Sequence, residues 1–321
     1  MRKILFLAFT GAVLLGSSCS RHSSYSTMNG EEIVDNKYIH KYGVMVPPED
    51  WSQRGENGKV VSTLKNGVIV TRNFSNGSLN GETTYTFPHS ETIEKMETYV
   101  EGNLKTELTY YSSGIPMKEI QYVSPVFQNV TVWYEGGSPQ LREKYKDSFL
   151  IDAEYFNSSH QIESLVENGN GTRINRDQYG QFLSTDTIEH GDVILKTISH
   201  ADGTPKEIIP FSNHKIHGLR KTFHPGGEPH TVEEWVENTQ HGLTTFYQNG
   251  EKISEISYAS GKKNGVERRY RDGNDVVEEI SWKDDVKHGP SVTYVGDIQK
   301  TDWYYHGKFT SKINYELLAT P

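Results

Sequence analysis

The chain has 321 residues, of which 34% are hydrophobic and 23% charged, and it carries a formal net charge of −9 with a single cysteine. So acidic a body lacks the basic footprint of a nucleic-acid binder, and one cysteine rules out an internal disulfide. A single core seldom grows past about 250–300 residues. This length therefore asks for two domains or for an array extending along one axis, and the low hydrophobic content suits a narrow sheet with largely wet faces.

Residues 1–18 read as a secretion signal. Arg2 and Lys3 give a positive start, Ile4 to Leu15 form an apolar stretch, and Gly16, Ser17 and Ser18 are small residues at a cleavage site. The apolar stretch is too short for a helix spanning about 30 Å of hydrocarbon, so the segment is expected to be removed. Cys19 follows directly. The junction resembles that of bacterial lipoproteins, whose cysteine becomes the first mature residue and is lipidated on its sulfur and α-amine. Such signals favour Leu three places before the cysteine, where this chain has Gly16, with Leu15 one place early. Gly16 and Ser18 also suit ordinary signal peptidase, which leaves a soluble secreted or periplasmic chain open. The resemblance implies attachment to a membrane of the cell envelope through acyl chains on Cys19, at ~0.8 kcal/mol per buried CH₂. Ser20, where an Asp would mark inner-membrane retention, implies the outer membrane. Loss of Arg2 and Lys3 takes the charge to −11, so attachment would rest on the acyl chains and not on attraction to anionic lipid.

Residues 19–50 read as the lipidated cysteine followed by a polar tether and lead-in, with Pro47-Pro48 expected to exclude regular structure. A periodic aromatic then begins: Trp51, Phe74, Tyr99, Tyr122 and Tyr145, at spacings of 23, 25, 23 and 23. Residues 51–145 are expected to be β-hairpin repeats that each close on such an aromatic. In residues 146–212 the period is weak, with Val166, Ile188 and Phe211 as degenerate positions, so the segment is either poorly formed repeats or a small insert. Residues 213–308 carry the clearest copies. His217-Gly218, His241-Gly242, Asn264-Gly265 and His288-Gly289 place glycines 24, 23 and 24 residues apart, and Trp235, Tyr258, Trp282 and Tyr304 follow each in turn. Residues 309–321 are expected to cap the array, with weak helical periodicity over 313–318.

One unit shows why these residues make hairpins. Leu243 to Gln248 is rich in Thr and aromatics, Asn249-Gly250 is a strong hairpin-turn signal, and Lys252 to Tyr258 places apolar Ile253, Ile256 and Tyr258 among Ser and Glu. Residues 259–265 read as a second turn, because Gly261 and Gly265 supply the positive φ that β-branched residues resist. A lone hairpin is marginal in water, so each must bury its apolar face on its neighbours. The expected fold is all-β: an elongated, twisted antiparallel sheet of about twelve hairpin repeats of 23–24 residues. His-Gly, an aromatic five residues after the Gly, Asn-Gly or Asp-Gly, then Glu-Ile-Ser-Tyr or Glu-Ile-Ser-Trp together resemble the bacterial variant of the MORN repeat, an antitoxin-like family. The resemblance implies a twisted sheet of hairpins and no shared chemistry.

Chemistry finds little support in the sequence. His217, His241 and His288 share one repeat slot, so successive copies lie two strands or about 9.5 Å apart, too far for ligands that must sit about 2 Å from a zinc ion. His214 and His217 with His241 are the remaining candidates. Glu255 and Glu279, one hairpin apart, approach the separation of an inverting glycosidase pair but read more simply as a solvated charged face. No nucleophile elbow, phosphate loop or dinucleotide fingerprint is present. The stripe Trp235, Tyr258, Trp282 and Tyr304 either closes the sheet's core or binds an extended polymer. The expectation is a non-catalytic, lipid-anchored envelope protein without metal or cofactor, offering a structural or interaction surface to a protein or polysaccharide partner. An antitoxin-like inhibitor and a polysaccharide-active protein are the alternatives.

Overall fold

The computed structural model describes residues 27–28 and 30–319; the signal expected over 1–18 and Cys19 lie outside the described residues. Within them, 27 strands form one open antiparallel sheet. Apart from a few two-residue pieces, each strand pairs with the one before and the one after it in sequence, from Glu31–His40 to Lys308–Thr310. The array of hairpins expected from the period is therefore the fold.

Its working unit is visible in Thr239–Gln248, Glu251–Ala259, Lys262–Arg271 and Asp275–Lys283. Asn249 and Gly250, with φ of 52° and 78°, form the turn of one hairpin, and Ser260 and Gly261, at 51° and 79°, form the next. Both suit the doubly left-handed turn that matches strand twist. Gly265 is not in that turn, contrary to the sequence reading. It lies inside Lys262–Arg271 with φ of 111°. On one side Ile256 pairs with Glu267 but Tyr258 pairs with Lys263, so the later strand carries two extra residues there. The same slip recurs at Arg72/Phe74, Glu233/Trp235 and Ile280/Trp282. The repeated glycine is thus a bulge residue, a second place where left-handed backbone is needed. On its other side it pairs with the periodic aromatic, Gly265 with Trp282 and Gly242 with Tyr258.

The bulges let neighbouring turns touch. Gly261 N–H donates to Gln240 O at 2.9 Å, Asp285 N–H to Lys263 O at 3.1 Å and Gly307 N–H to Lys287 O at 2.8 Å. Each turn is thereby tied to the strand one hairpin earlier, which satisfies backbone groups that a turn would otherwise leave to water.

Alternation gives the sheet two unlike faces. Thr244, Ile256, Glu267, Ile280 and Ser291 stand directly opposite one another on successive strands, and all are buried. The residues between them face outward. The buried face is only half apolar: Ser62, Thr83, Asp186 and Thr244 are as deeply enclosed as Val70, Tyr155, Val166, Ile188 and Ile280. Through residues 149–212 the strands pair on without a gap, and this stretch holds an apolar cluster of Leu150, Ala153, Tyr155, Val166 and Ile188.

The N-terminal end departs from the sequence reading. The polar lead-in belongs to the sheet, because Glu31–His40 is a ten-residue strand whose Tyr38 pairs with Val60 and whose Asn36 accepts a hydrogen bond from buried Ser62. Trp51 closes no hairpin. It sits in the helix Pro48–Gln53, buried against Val46 and Val60 with Tyr38 and Phe74 beside it. Pro47-Pro48 starts that helix instead of forbidding it, since the first helical position needs no N–H and the proline ring presets φ. At the other end the helix Lys312–Ala319 packs Tyr315 against Trp303 and His288, with ring centroids 5.1 and 5.5 Å apart.

Candidate functional site

The four stripe residues Trp235, Tyr258, Trp282 and Tyr304 do line up on the buried face, each opposite a bulge glycine. They are not core: all four are half-buried. The indole N–H groups of Trp235 and Trp282 are engaged, and a cation lies over the rings of Trp235, Trp282 and Tyr304. Trp235 Nε1–H donates to Glu233 Oε2 at 2.8 Å beneath the Arg220 guanidinium, which bonds both Glu233 and Glu207 at 2.9 Å. Trp282 Nε1–H donates to Glu267 Oε2 at 2.9 Å, and Lys263 Nζ sits 4.6 Å from its ring centre. Lys287 lies 5.1 Å from the ring of Tyr304. For Tyr258, burial, followed by the Asp285, Glu267 and Glu233 carboxylates, raises the phenol pKa. Stacking a ligand on Trp235, Trp282 or Tyr304 would first require displacing a cation whose attraction to the ring is worth about 0.5–2 kcal/mol.

What the sequence reading missed is a ladder of enclosed carboxylates. Glu97 receives hydrogen bonds from Tyr85 at 3.2 Å and Tyr99 at 3.0 Å, with Lys95 Nζ 2.7 Å away. Glu143 receives Tyr145 and Tyr155, both at 2.8 Å. Arg173 spans from Glu143, at 3.8 Å, to Asp186, which it meets at 2.9 Å, and Asn175 donates to the same Asp186 oxygen at 3.0 Å. Burial first, then the adjacent carboxylate, pushes Tyr85 and Tyr99 up to about 12 and Tyr145 and Tyr155 higher still. A signal existed: an acid stands two residues before the periodic position in Glu97-Thr98-Tyr99, Glu143-Lys144-Tyr145, Asp186-Thr187-Ile188 and Glu233-Glu234-Trp235. Residues two apart on a strand share a face, so each acid had to lie on the same side as the aromatic.

The carboxylate pair considered for sugar chemistry is on the outward face. Glu255 and Glu279 flank Arg268 as direct cross-strand partners. Arg268 Nε donates to Glu279 at 2.9 Å, and Tyr294 donates to the same carboxylate at 3.0 Å. Tyr270 and Lys252 donate to Glu255. Burial alone would raise the Glu255 carboxyl, but those two hydrogen bonds together with the Lys252 and Arg268 charges outweigh it and its pKa is lowered. That is the wrong direction for a general acid, which needs a raised carboxyl. The histidines disperse: His214 lies 3.5 Å from Asp192, His224 stacks with His230, and His288 joins Tyr305, His306 and Tyr315. Among the described residues no three His, Cys, Asp or Glu side chains are arranged to hold a metal ion.

The arrangement can do two things. Its buried face locks neighbouring hairpins together through carboxylates, and its outward face carries the charged row Glu255, Arg268 and Glu279 and a half-exposed apolar residue after three successive bulge glycines, Leu219, Leu243 and Val266. No protein-family model and no curated protein matches the chain.

Proposed function

We propose that this protein is an envelope protein anchored through a lipidated Cys19, and that its array of hairpins is a non-catalytic interaction surface, related in kind to the bacterial MORN-variant repeats. The observation that carries the reading is the division of labour between the faces. The carboxylates and cations of the inner face are engaged with one another, while the outward face offers an apolar residue after three successive bulge glycines, beside one charged row. Leu219, Leu243 and Val266 are 49%, 38% and 36% exposed, and the row Glu255, Arg268 and Glu279 runs across the neighbouring strands. Such a surface suits an extended partner that meets several repeats at once, each contact raising the effective concentration for the next.

The anchor is tested by intact mass and fractionation: the mature chain should begin at Cys19 with a diacylglyceryl adduct, and Cys19→Ala should move it from the envelope to the soluble fraction. An unmodified cysteine in a soluble wild-type chain would sink the anchor. For the surface, Leu243→Lys with Val266→Lys should leave the fold unchanged and strip the partners retained from solubilised envelopes. Retention of the same partners would refute the surface reading.

A further inference from the structure

Near the N-terminal end of the sheet, on the outward face, lies a hollow of about 440 Å³. Lys41 and Lys59 form its positive wall with His40 beside them, its amide wall is Asn57, Asn73 and Asn80, and no Asp or Glu lines it. In a chain of net charge −9 that is an unusual local balance. The strands explain its shape. Ile39, Lys59 and Asn73 are direct cross-strand partners, which places Lys59 beside Asn73. Gly58 and Gly81 bound the space, and neither contributes a side chain. At Gly58 none is possible, because a Cβ would stand 2.2 Å from Ile39 O, whereas at Gly81 it would meet only Asn73 Cβ, at 3.5 Å.

The donors in the hollow are only partly committed. Asn57 is engaged by Asn76 and Gly55, and Asn73 Nδ2 donates to Glu82 O. Asn80 uses its Oδ1 to accept from Glu101 N–H, which leaves its amide N–H groups for another acceptor. Among the described residues neither Lys41 nor Lys59 forms an ion pair. Lys41, whose Nζ also lies 5.4 Å from the ring centre of Tyr42, lines one concavity with Lys59, His40 and the Asn80 amide, a donor set that matches an anion with several acceptor oxygens.

We propose that this hollow binds a phosphate group, carried either by a phospholipid headgroup or by a soluble phosphorylated molecule. The proposal is independent of the interaction surface argued above, which lies on the C-terminal hairpins. It also supplies a local basic contact that the net charge of the chain would not suggest. A bound phosphate draws on charge-assisted hydrogen bonds, so the lysine charges and not their bulk should carry the affinity.

The test uses the full chain bearing Cys19→Ala, so that acyl chains do not drive membrane binding. One arm measures the rise in unfolding midpoint with inorganic phosphate against chloride at equal ionic strength. The other measures sedimentation with phosphatidylglycerol vesicles against vesicles of a galactolipid, which carries no phosphate. Phosphate stabilisation, vesicle binding or both should appear, and Lys41→Gln with Lys59→Gln should weaken them at least tenfold. Lys221→Gln, an exposed lysine elsewhere, should change neither. Vesicle binding alone assigns the phosphate to a lipid headgroup, and stabilisation alone assigns it to a soluble ligand. Absence of both effects, persistence of both in the double lysine variant, or an equal loss in Lys221→Gln would overturn the site.

Discussion

Removing the Glu143 carboxylate should unlock the middle of the array. Glu143 is 7% exposed, accepts hydrogen bonds from Tyr145 and Tyr155 at 2.8 Å, and has Arg173 3.8 Å away. Two hydrogen bonds to a charged acceptor are worth about 1.5–3 kcal/mol each. Breaking one member out of a buried ionic network costs about 3–5 kcal/mol. These describe the same loss from two sides, so Glu143→Ala should cost about 4 kcal/mol and Glu143→Gln, which keeps one carbonyl acceptor, about half of that. Arg173 keeps its bond to Asp186 and is not stranded. Hydrogen exchange followed strand by strand is the assay, because each hairpin touches mainly its neighbours. Protection should fall first from Phe127–Trp133 to Asn170–Arg176 and persist over Thr239–Lys283. Combining Glu143→Ala with Tyr155→Phe should cost about 1–2 kcal/mol less than the sum of the two, since they share one bond. A loss spread evenly along the sheet, or a cost below about 1 kcal/mol for Glu143→Ala, would refute the reasoning.

Tyr258→Ala should cost about 2 kcal/mol by chemical denaturation, roughly half the value for a fully buried aromatic, because the ring is half-buried; a cost of about 4 kcal/mol or more would restore it to the core. Gly265→Ala should destabilise by about 1–3 kcal/mol, since its φ of 111° resists a side chain and the new Cβ would sit 3.0 Å from Ser257 Cβ; a neutral outcome would mean that the bulge is dispensable. Alkaline titration should separate the tyrosines. Those at Tyr85 and Tyr99 have folded pKa values near 12 against an unfolded value of about 10, so their stabilisation is whole below pH about 10 and lost as pH rises through about 12. Tyrosinate absorbance and far-ultraviolet circular dichroism should therefore change together in the upper phase, and full ionisation with the sheet intact would contradict the ladder.

The period was legible because a hairpin turn must use Asn-Gly, Asp-Gly or their like, and because an aromatic recurs with it. The same residue types misled where two structures need the same backbone. Gly265 reads as a turn residue because turns and bulges both take positive φ, and only the pairing of Ile256 with Glu267 and Tyr258 with Lys263 tells them apart. Trp51 fell on the period with Phe74 by chance of spacing, yet the prolines before it open a helix. Glu31–His40 looked like a tether because its charges hide the alternation that Ile33, Tyr38 and Ile39 carry. The enclosed carboxylates were hardest to see. An acid on a strand is ordinarily a solvated one, and only Tyr145 on its own strand, with Tyr155 and Arg173 arriving from two others, makes Glu143 an interior residue.

The order of pairing, each strand with its sequence neighbours and, among the described residues, no strand closing the sheet, also decides how the molecule bears a load. Pulled from its two ends, the force runs across the strands, so the hydrogen bonds of a ladder break in succession and not all at once. The end hairpins peel first, each releasing a unit of 23–24 residues, about 80 Å of chain at full extension. A closed barrel or a sandwich would hold until its shear interface failed as a whole. This sheet instead opens like a zip, at low force and in even steps, with the Glu97, Glu143 and Asp186 clusters as the stiffer teeth. It could lengthen under tension while leaving the hairpins between its loosened ends intact.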